Sequence, residues 1–388
     1  MKLNKKELLS VLSIGIIIAL RLLGIFLILP VFSIYTTSYP GSSLALAGVA
    51  FGIYALTQSL LQIPFGLASD KFGRKPVLIF GLLIFAVGSL LCGFADNIYE
   101  LIFARAIQGS GAVGSVAIAS LGDSTRDKVR AQAFTITGIM IGAAFIISLV
   151  IGPVLASKLG FKSLFFILSF LGIVAIMVTT LGFPKIEVKG QAADNISFFK
   201  RLKNIEIRKL FLATFIISFV LNLFLFIYPL SWKNLDFDLD KFWIVYLIIL
   251  SPSALFVYPY IRIAEKREKL MLPLYIGHFF LILGITIYIF KSGSSTALYL
   301  SGAAFFLGHS LFQSLLPTFL TQRISSRNRG TSSGFFNLAN SFGAALGGML
   351  AGKLYDTYSL LPLFLGIALL FLWIYIGLPH PPINSNID

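Results

Sequence analysis

Apolar runs of about twenty residues alternate with short polar turns along nearly the whole chain. Residues 44–65 carry no charge, and neither do residues 76–95. Each run is long enough to cross a bilayer as a helix, which takes about 20 residues. Between them stands GLASDKFGRK (66–75), a block of glycine and charge that must turn at a membrane face. Extended along the chain, the pattern predicts twelve spans, near 8–36, 43–68, 76–95, 98–122, 131–157, 163–184, 210–231, 242–261, 270–290, 297–321, 331–352 and 359–378. The expected fold is therefore an all-α polytopic membrane protein. An even number of spans places both termini on one side.

Composition agrees. Of 388 residues, 57% are hydrophobic and 12% charged, where a soluble domain carries about 25% charged residues. The net charge of +15 raises the question of nucleic acid, and its distribution answers it. With the N-terminus inside, 23 of the 31 Lys and Arg fall in cytoplasmic segments and 6 in external loops, while Arg21 and Arg105 lie within spans. That is the positive-inside asymmetry. It predicts a multi-pass protein of the inner (plasma) membrane with cytoplasmic termini, and no nucleic-acid partner. The start MKLNKKELLS imitates a signal peptide, but the apolar run continues to Tyr35 with no early A-x-A site, so it reads as an uncleaved first helix. The lone Cys92 lies inside the third span and forms no disulfide within one chain.

Lys185–Lys209 is the longest polar stretch and holds seven Lys or Arg. It divides the chain into an N-terminal bundle (1–184), a cytoplasmic linker (185–209) and a C-terminal bundle with a short tail (210–388). Within the linker, SFFKRLKNIEIRKLF fits a basic amphipathic helix on the inner leaflet, or simply a solvated connector. The halves echo each other: LASKL (155–159) ends span five and LAGKL (350–354) ends span eleven. Parallel repeats about an axis along the membrane normal are one way transporters are built, with the substrate site at the repeat interface.

The block at 66–75 follows G-x-x-x-D-[RK]-x-G-R-K, and in it the chain resembles the major facilitator superfamily. Gly66 and Gly73 suit a close approach and a tight turn. Asp70 is expected to face the start of span eleven, Gly330–Gly334, where a helix N-terminus favours a carboxylate. Arg74 is expected to bridge Asp70 and Asp123, with Lys75 beside it, forming a latch that holds the halves together on the inside. The plainer reading is a set of ordinary positive-inside loop charges.

The resemblance extends further. RAIQGSGA (105–112) is similar to the R-x-x-Q-G-x-G-A motif of proton-coupled antiporters in this superfamily, and Gly152-Pro153 to their Gly/Pro motif, with Ser148 where a glycine is expected. RLLGIFLILPV (21–31) and residues 54–76 look like the YajR-type branch of the drug:proton antiporter group. Two departures stand out. That branch carries a soluble domain after span twelve, which the ten residues beyond Leu378 do not supply, and its span-ten E-A-L-L-P reads Gln313-Ser314-Leu315-Leu316-Pro317 here.

No Asp or Glu lies within the interior of a predicted span. An unpaired charge at mid-bilayer is costly, so Arg21 and Arg105 should face a cavity or bond carbonyls. Arg21 is central in span one and reads either as a substrate or coupling residue or as a helix–helix bond. For Arg105 the resemblance implies a place near a proton path with Gln108, against a purely structural cap. His309 stands one turn before Gln313 and titrates near neutrality, which suits a proton carrier in place of the missing carboxylate; a packed histidine is the alternative. His278 has less support. Tyr54, Gln58 and Gln62 recur every fourth residue, and with Asn222, Asn337 and Asn340 they suggest a mixed polar and aromatic cavity. Arginines without carboxylates favour neutral or anionic lipophiles.

The function expected is proton-coupled efflux of small lipophilic compounds by alternating access, with bilayer, cargo and protons as partners. The chain is expected to act as a monomer with no cofactor and no metal. A proton-coupled carrier of one metabolite, a sugar or organic acid, is the alternative, and a non-transporting receptor or scaffold on the same fold follows it. An enzyme is not expected: no metal-spaced cluster, phosphate loop or nucleophile motif is present.

Overall fold

Asn4 starts the first helix with a capping box, its side chain accepting from the Glu7 amide while the Glu7 carboxylate accepts from the Asn4 amide. From there the apolar runs fold as helices because a backbone in lipid must satisfy its own hydrogen bonds. The computed structural model describes residues 3–183, 204–267, 269–323 and 329–379. These form fourteen α-helices: α1 Lys5–Ile28, α2 Phe32–Thr36, α3 Leu44–Phe72, α4 Arg74–Phe94, α5 Ile98–Ser110, α6 Gly114–Asp123, α7 Asp127–Leu159, α8 Phe161–Gly182, α9 Ile205–Asn234, α10 Phe242–Lys266, α11 Met271–Lys291, α12 Ser295–Arg323, α13 Arg329–Thr357 and α14 Leu361–Ile376. Most of the linker expected at 185–209 lies outside the described residues.

The twelve expected spans account for all fourteen helices, because two spans are broken. Span one stops at Ile28, ahead of Pro30, and resumes as the short α2. Span four, read from sequence as one helix, divides at 111–113 into α5 and α6. Ten segments are long and apolar enough to cross a membrane by hydropathy. The two that fall short are α14, of 16 residues, and α13, rich in Gly, Ser and Asn. The composition of α13 has a packing cause: it is wedged between α3 and α9 and meets protein where other helices meet lipid. Phe103, Leu181 and Tyr375, by contrast, stand exposed on α5, α8 and α14.

Two six-helix bundles result. In the first, α1 packs on α7 and α8, and α4 on α5 and α8; in the second, α9 packs on α13, and α12 on α10 and α11. The halves repeat at atomic level. A side chain at Gly152 of α7 would strike the Leu27 carbonyl of α1, and one at Gly347 of α13 would strike the Phe219 carbonyl of α9, with 195 residues separating the two glycines. Gly111 approaches the Gly81 carbonyl just as Gly308 approaches that of Gly277. The echo between LASKL and LAGKL is thus part of a repeated helix-packing scheme.

The bundles meet along α3 and α13. Gly48 lies against Gly352, Gly52 against Ala345 and Met349, and lower down Ser59 donates to the Leu338 carbonyl at 3.4 Å. Small residues allow this approach, which in lipid is driven by van der Waals contact. At the same end Phe51 packs edge-on against Phe226 of α9, and Lys233 reaches the Ile34 carbonyl at 3.5 Å. Among the described residues, the bundles are in contact at the end away from the 66–75 turn.

Candidate functional site

The turn between α3 and α4 is made by Gly73, whose φ of +92° is a conformation that side chains disfavour. Gly66 needs no such freedom and makes no close approach: a Cβ there would meet only the Ser115 hydroxyl, at 3.8 Å. Arg74 is the hub of the turn. Its Nη1 lies 2.5 Å from Asp70 Oδ1 and donates to Ser69 Oγ at 2.6 Å, and its Nε donates to Asp123 Oδ2 at 2.9 Å. Arg74 is 10% exposed and Asp70 59%, so the guanidinium is held in the protein while the carboxylate reaches outward. Lys75 takes another path, donating to the Thr180 carbonyl at the end of α8 at 2.7 Å. The side chains of 321–333, which include most of the partner expected for Asp70, lie outside the described residues.

A second ion pair at this end had no signal in the sequence beyond the capping pattern. Arg126, just before α7, grips Glu7 with Nε at 2.7 Å and Nη2 at 2.9 Å, and adds its backbone N–H at 3.1 Å. The start of α1 is thereby tied to the loop that follows Asp123.

Deeper in the first bundle, Tyr54 of α3 joins two buried cations. The Arg105 guanidinium carbon stands 4.7 Å from the Tyr54 ring centre, and Arg21 Nη2 donates to the Tyr54 hydroxyl at 2.9 Å. Arg105 also donates to the Ala50 carbonyl at 3.3 Å and to Gln108 Oε1 at 2.6 Å, while Gln108 donates onward to Ser89 at 2.8 Å. Arg21 adds a bond to the Gly111 carbonyl at 3.2 Å and lies 5.8 Å from the Phe85 ring. Gln58 is half-buried, and Gln62 is buried with its amide 3.5 Å from Ser341 of α13. These residues converge on the break between α5 and α6. That break is the feature sequence reasoning missed; glycines at 109, 111 and 114 were its signal.

On α7, Gly152 meets α1 as described, with Pro153 beside it inside the helix. Ser148, where the motif has glycine, donates to the Leu23 carbonyl of α1 at 2.9 Å.

The C-terminal candidates are less connected. His309 is buried with Nδ1 unpartnered, but Gln313 one turn on is exposed, so the two do not share an environment. His278 packs against Trp373 at 4.4 Å and lies 3.4 Å from the Leu370 carbonyl. Asn222 folds back on the Ser218 carbonyl at 2.8 Å, while Asn340 bridges α13 to Ser218 and Thr214 of α9 at 3.2 and 3.4 Å. Asn340 thus joins two helices, while Asn222 is half-buried and bonded within its own. Asn337 is half-buried.

Two six-helix repeats in contact at one end, with a polar centre inside apolar walls, define a membrane transporter. The family model of the Major Facilitator Superfamily matches residues 14–348, and the chain belongs to that superfamily. It is 32% identical over 383 residues to the inner membrane transport protein YajR of Escherichia coli (strain K12), covering 97% of this chain and 84% of that one. It is also 36% identical over 154 residues to the class H tetracycline resistance protein of Pasteurella multocida, which covers 39% of this chain and 38% of that one. Among solved structures, the nucleoside transporter NupG superposes with a TM-score of 0.70 at 16% identity, over 95% of this chain and 98% of that one; the likeness is one of fold.

Proposed function

We propose that this transporter exports small lipophilic compounds in exchange for protons, by alternating access of the two bundles. The observation that carries the reading is the double use of Tyr54. Arg105, in the stretch that resembles the antiporter motif, lies on its ring, and Arg21 bonds its hydroxyl. A change in hydration or protonation around one cation is thus passed to the other through a single rigid side chain. The similarity to a tetracycline resistance protein over 154 residues supports export of drug-like cargo. The positive-inside asymmetry supports cytoplasmic termini. In that orientation the α3–α13 seam lies toward the outer end, and Asp70, Arg74 and Asp123, all of segment 1–184, form the inner cluster from which a latch would reach the start of α13.

His309 is the candidate proton carrier of the second bundle, being buried, titratable and unpartnered at Nδ1. The test is compound-dependent proton movement in sealed vesicles. A chain that moves no protons with any lipophilic compound, yet exchanges one metabolite, would fit the metabolite-carrier alternative.

A further inference from the structure

We propose that the break between α5 and α6 binds the carboxylate of an organic anion, held by Arg21, Gln58, Gln62 and the first turn of α6. The proposal rests on the transporter reading and adds the chemical class of the cargo.

Three observations lead to it. First, α6 begins without a cap. Its N-cap position is Val113, which offers no side-chain acceptor, and the first backbone bond across its start runs from Ala117 to Val113. The amides of Gly114, Ser115 and Val116 therefore face the protein interior at the positive end of a ten-residue helix. Such an end in water is solvated, but within a membrane fold it calls for an acceptor.

Second, three side-chain nitrogens gather around the same spot. From the point where a Cβ on Gly114 would stand, Gln62 Nε2 is 3.8 Å away, and Arg21 Nη1 and Gln58 Nε2 are each 4.0 Å away. Outside the local backbone no heavy atom stands nearer, so the donors surround a space that the missing side chain leaves open.

Third, Arg21 is only partly used. It is 3% exposed, and both of its bonds come from Nη2; its Nε is buried with no partner. A guanidinium offers five donors. Among the described residues none of the ion pairs involves Arg21.

A guanidinium and a helix N-terminus both carry positive charge and repel each other in the absence of an anion. With a carboxylate between them, one oxygen meets Arg21 Nη1 and the other meets the α6 amides or the glutamine nitrogens. Arg21, with the Arg105 guanidinium on the ring of the same Tyr54 and a helix N-terminus opposite, gives the site a positive field that suits a carboxylate. Gln58 and Gly114 are half-buried, so the site is not sealed from its surroundings.

The experiment uses the purified full chain in nanodiscs, with melting temperature followed against benzoate and 1-naphthoate and against benzamide and 1-naphthamide. The carboxylates are expected to raise the melting temperature and the carboxamides not to. Arg21→Gln should weaken carboxylate binding by roughly tenfold or more, as loss of a charge-assisted bond does. Gly114→Ala retains every donor and fills the space between them, so it should abolish the carboxylate effect in a protein that still folds. It carries the test alone if Arg21→Gln is unstable. Equal binding of acids and amides, or undiminished carboxylate binding by Gly114→Ala, overturns the proposal. Carboxylate binding without proton exchange upholds the site and removes the exporter reading; proton-coupled export of neutral compounds without carboxylate binding does the reverse.

Discussion

Arg105 rests its guanidinium on the face of Tyr54, 4.7 Å from the ring centre, while the hydroxyl of that tyrosine accepts from Arg21. The ring and the hydroxyl do separate jobs, and substitution separates them. Tyr54→Phe keeps the ring under Arg105 and removes the acceptor of Arg21. A single lost hydrogen bond costs about 1 kcal/mol, so the variant should express and melt nearly as wild type while transport falls. Tyr54→Leu removes both contacts and should lower the melting temperature as well. Equal transport by Tyr54→Phe and wild type would show that the Arg21 bond is only structural.

The inner cluster makes a prediction with an internal ranking. Asp70 is largely exposed, and an exposed ion pair contributes about 0.2–1 kcal/mol. Asp70→Asn should therefore leave expression intact and act on transport. Arg74 is held by three groups at once, so Arg74→Ala should reduce both transport and stability, and more severely than Asp123→Asn. The check is vesicle transport alongside the monodisperse yield of each variant. Equal transport in Asp70→Asn and wild type would remove the latch.

The Glu7–Arg126 clamp is a stability feature of the same end. Glu7 is buried and accepts four bonds, two from the Arg126 side chain and one each from the amides of Asn4 and Arg126. Glu7→Ala should destabilise the first bundle by about 1–3 kcal/mol, the cost of leaving hydrogen-bonding groups without their partner. Thermal melts of the variant beside wild type measure it, and an unchanged melt would mean that solvent satisfies Arg126 equally well.

His309 is the proposed proton carrier of the second bundle, being buried and unpartnered at Nδ1. His309→Ala should flatten the pH dependence of transport. An unaltered profile in an active variant would return His309 to a packing role.

Much of the architecture was legible because lipid imposes it. Uncharged runs of twenty residues have few alternatives to a spanning helix, and the block at 66–75 announced its own turn, down to Gly73. Span four was harder. It is apolar enough to pass as one span, and its three glycines read as packing positions. Asn340 looked like a cavity group since sequence shows polarity and not direction; the structure joins it to Ser218 and Thr214 of the neighbouring helix. His309 and Gln313 share a helix face by spacing, yet neighbouring helices bury one and leave the other exposed. The Glu7–Arg126 pair spans 119 residues, a separation at which one charge in a sequence carries no information about the other.

The repeat predicts paired sensitivity. Gly152 and Gly347 occupy matching positions against α1 and α9, where an added methyl would meet a carbonyl oxygen. Overpacking of this kind costs about 1–3 kcal/mol. Gly152→Ala and Gly347→Ala should each lower the melting temperature, in contrast to Gly138→Ala, where nothing lies within 4 Å. Similar melts for all three would contradict the packing scheme.

The most direct measurement is proton movement in inside-out vesicles energised to a pH gradient and challenged with a panel of lipophilic compounds, for wild type and Asp70→Asn. Proton-coupled export predicts that some compounds collapse the gradient in wild-type vesicles and that Asp70→Asn, present at equal level, abolishes the response. A wild-type gradient indifferent to every compound would contradict it.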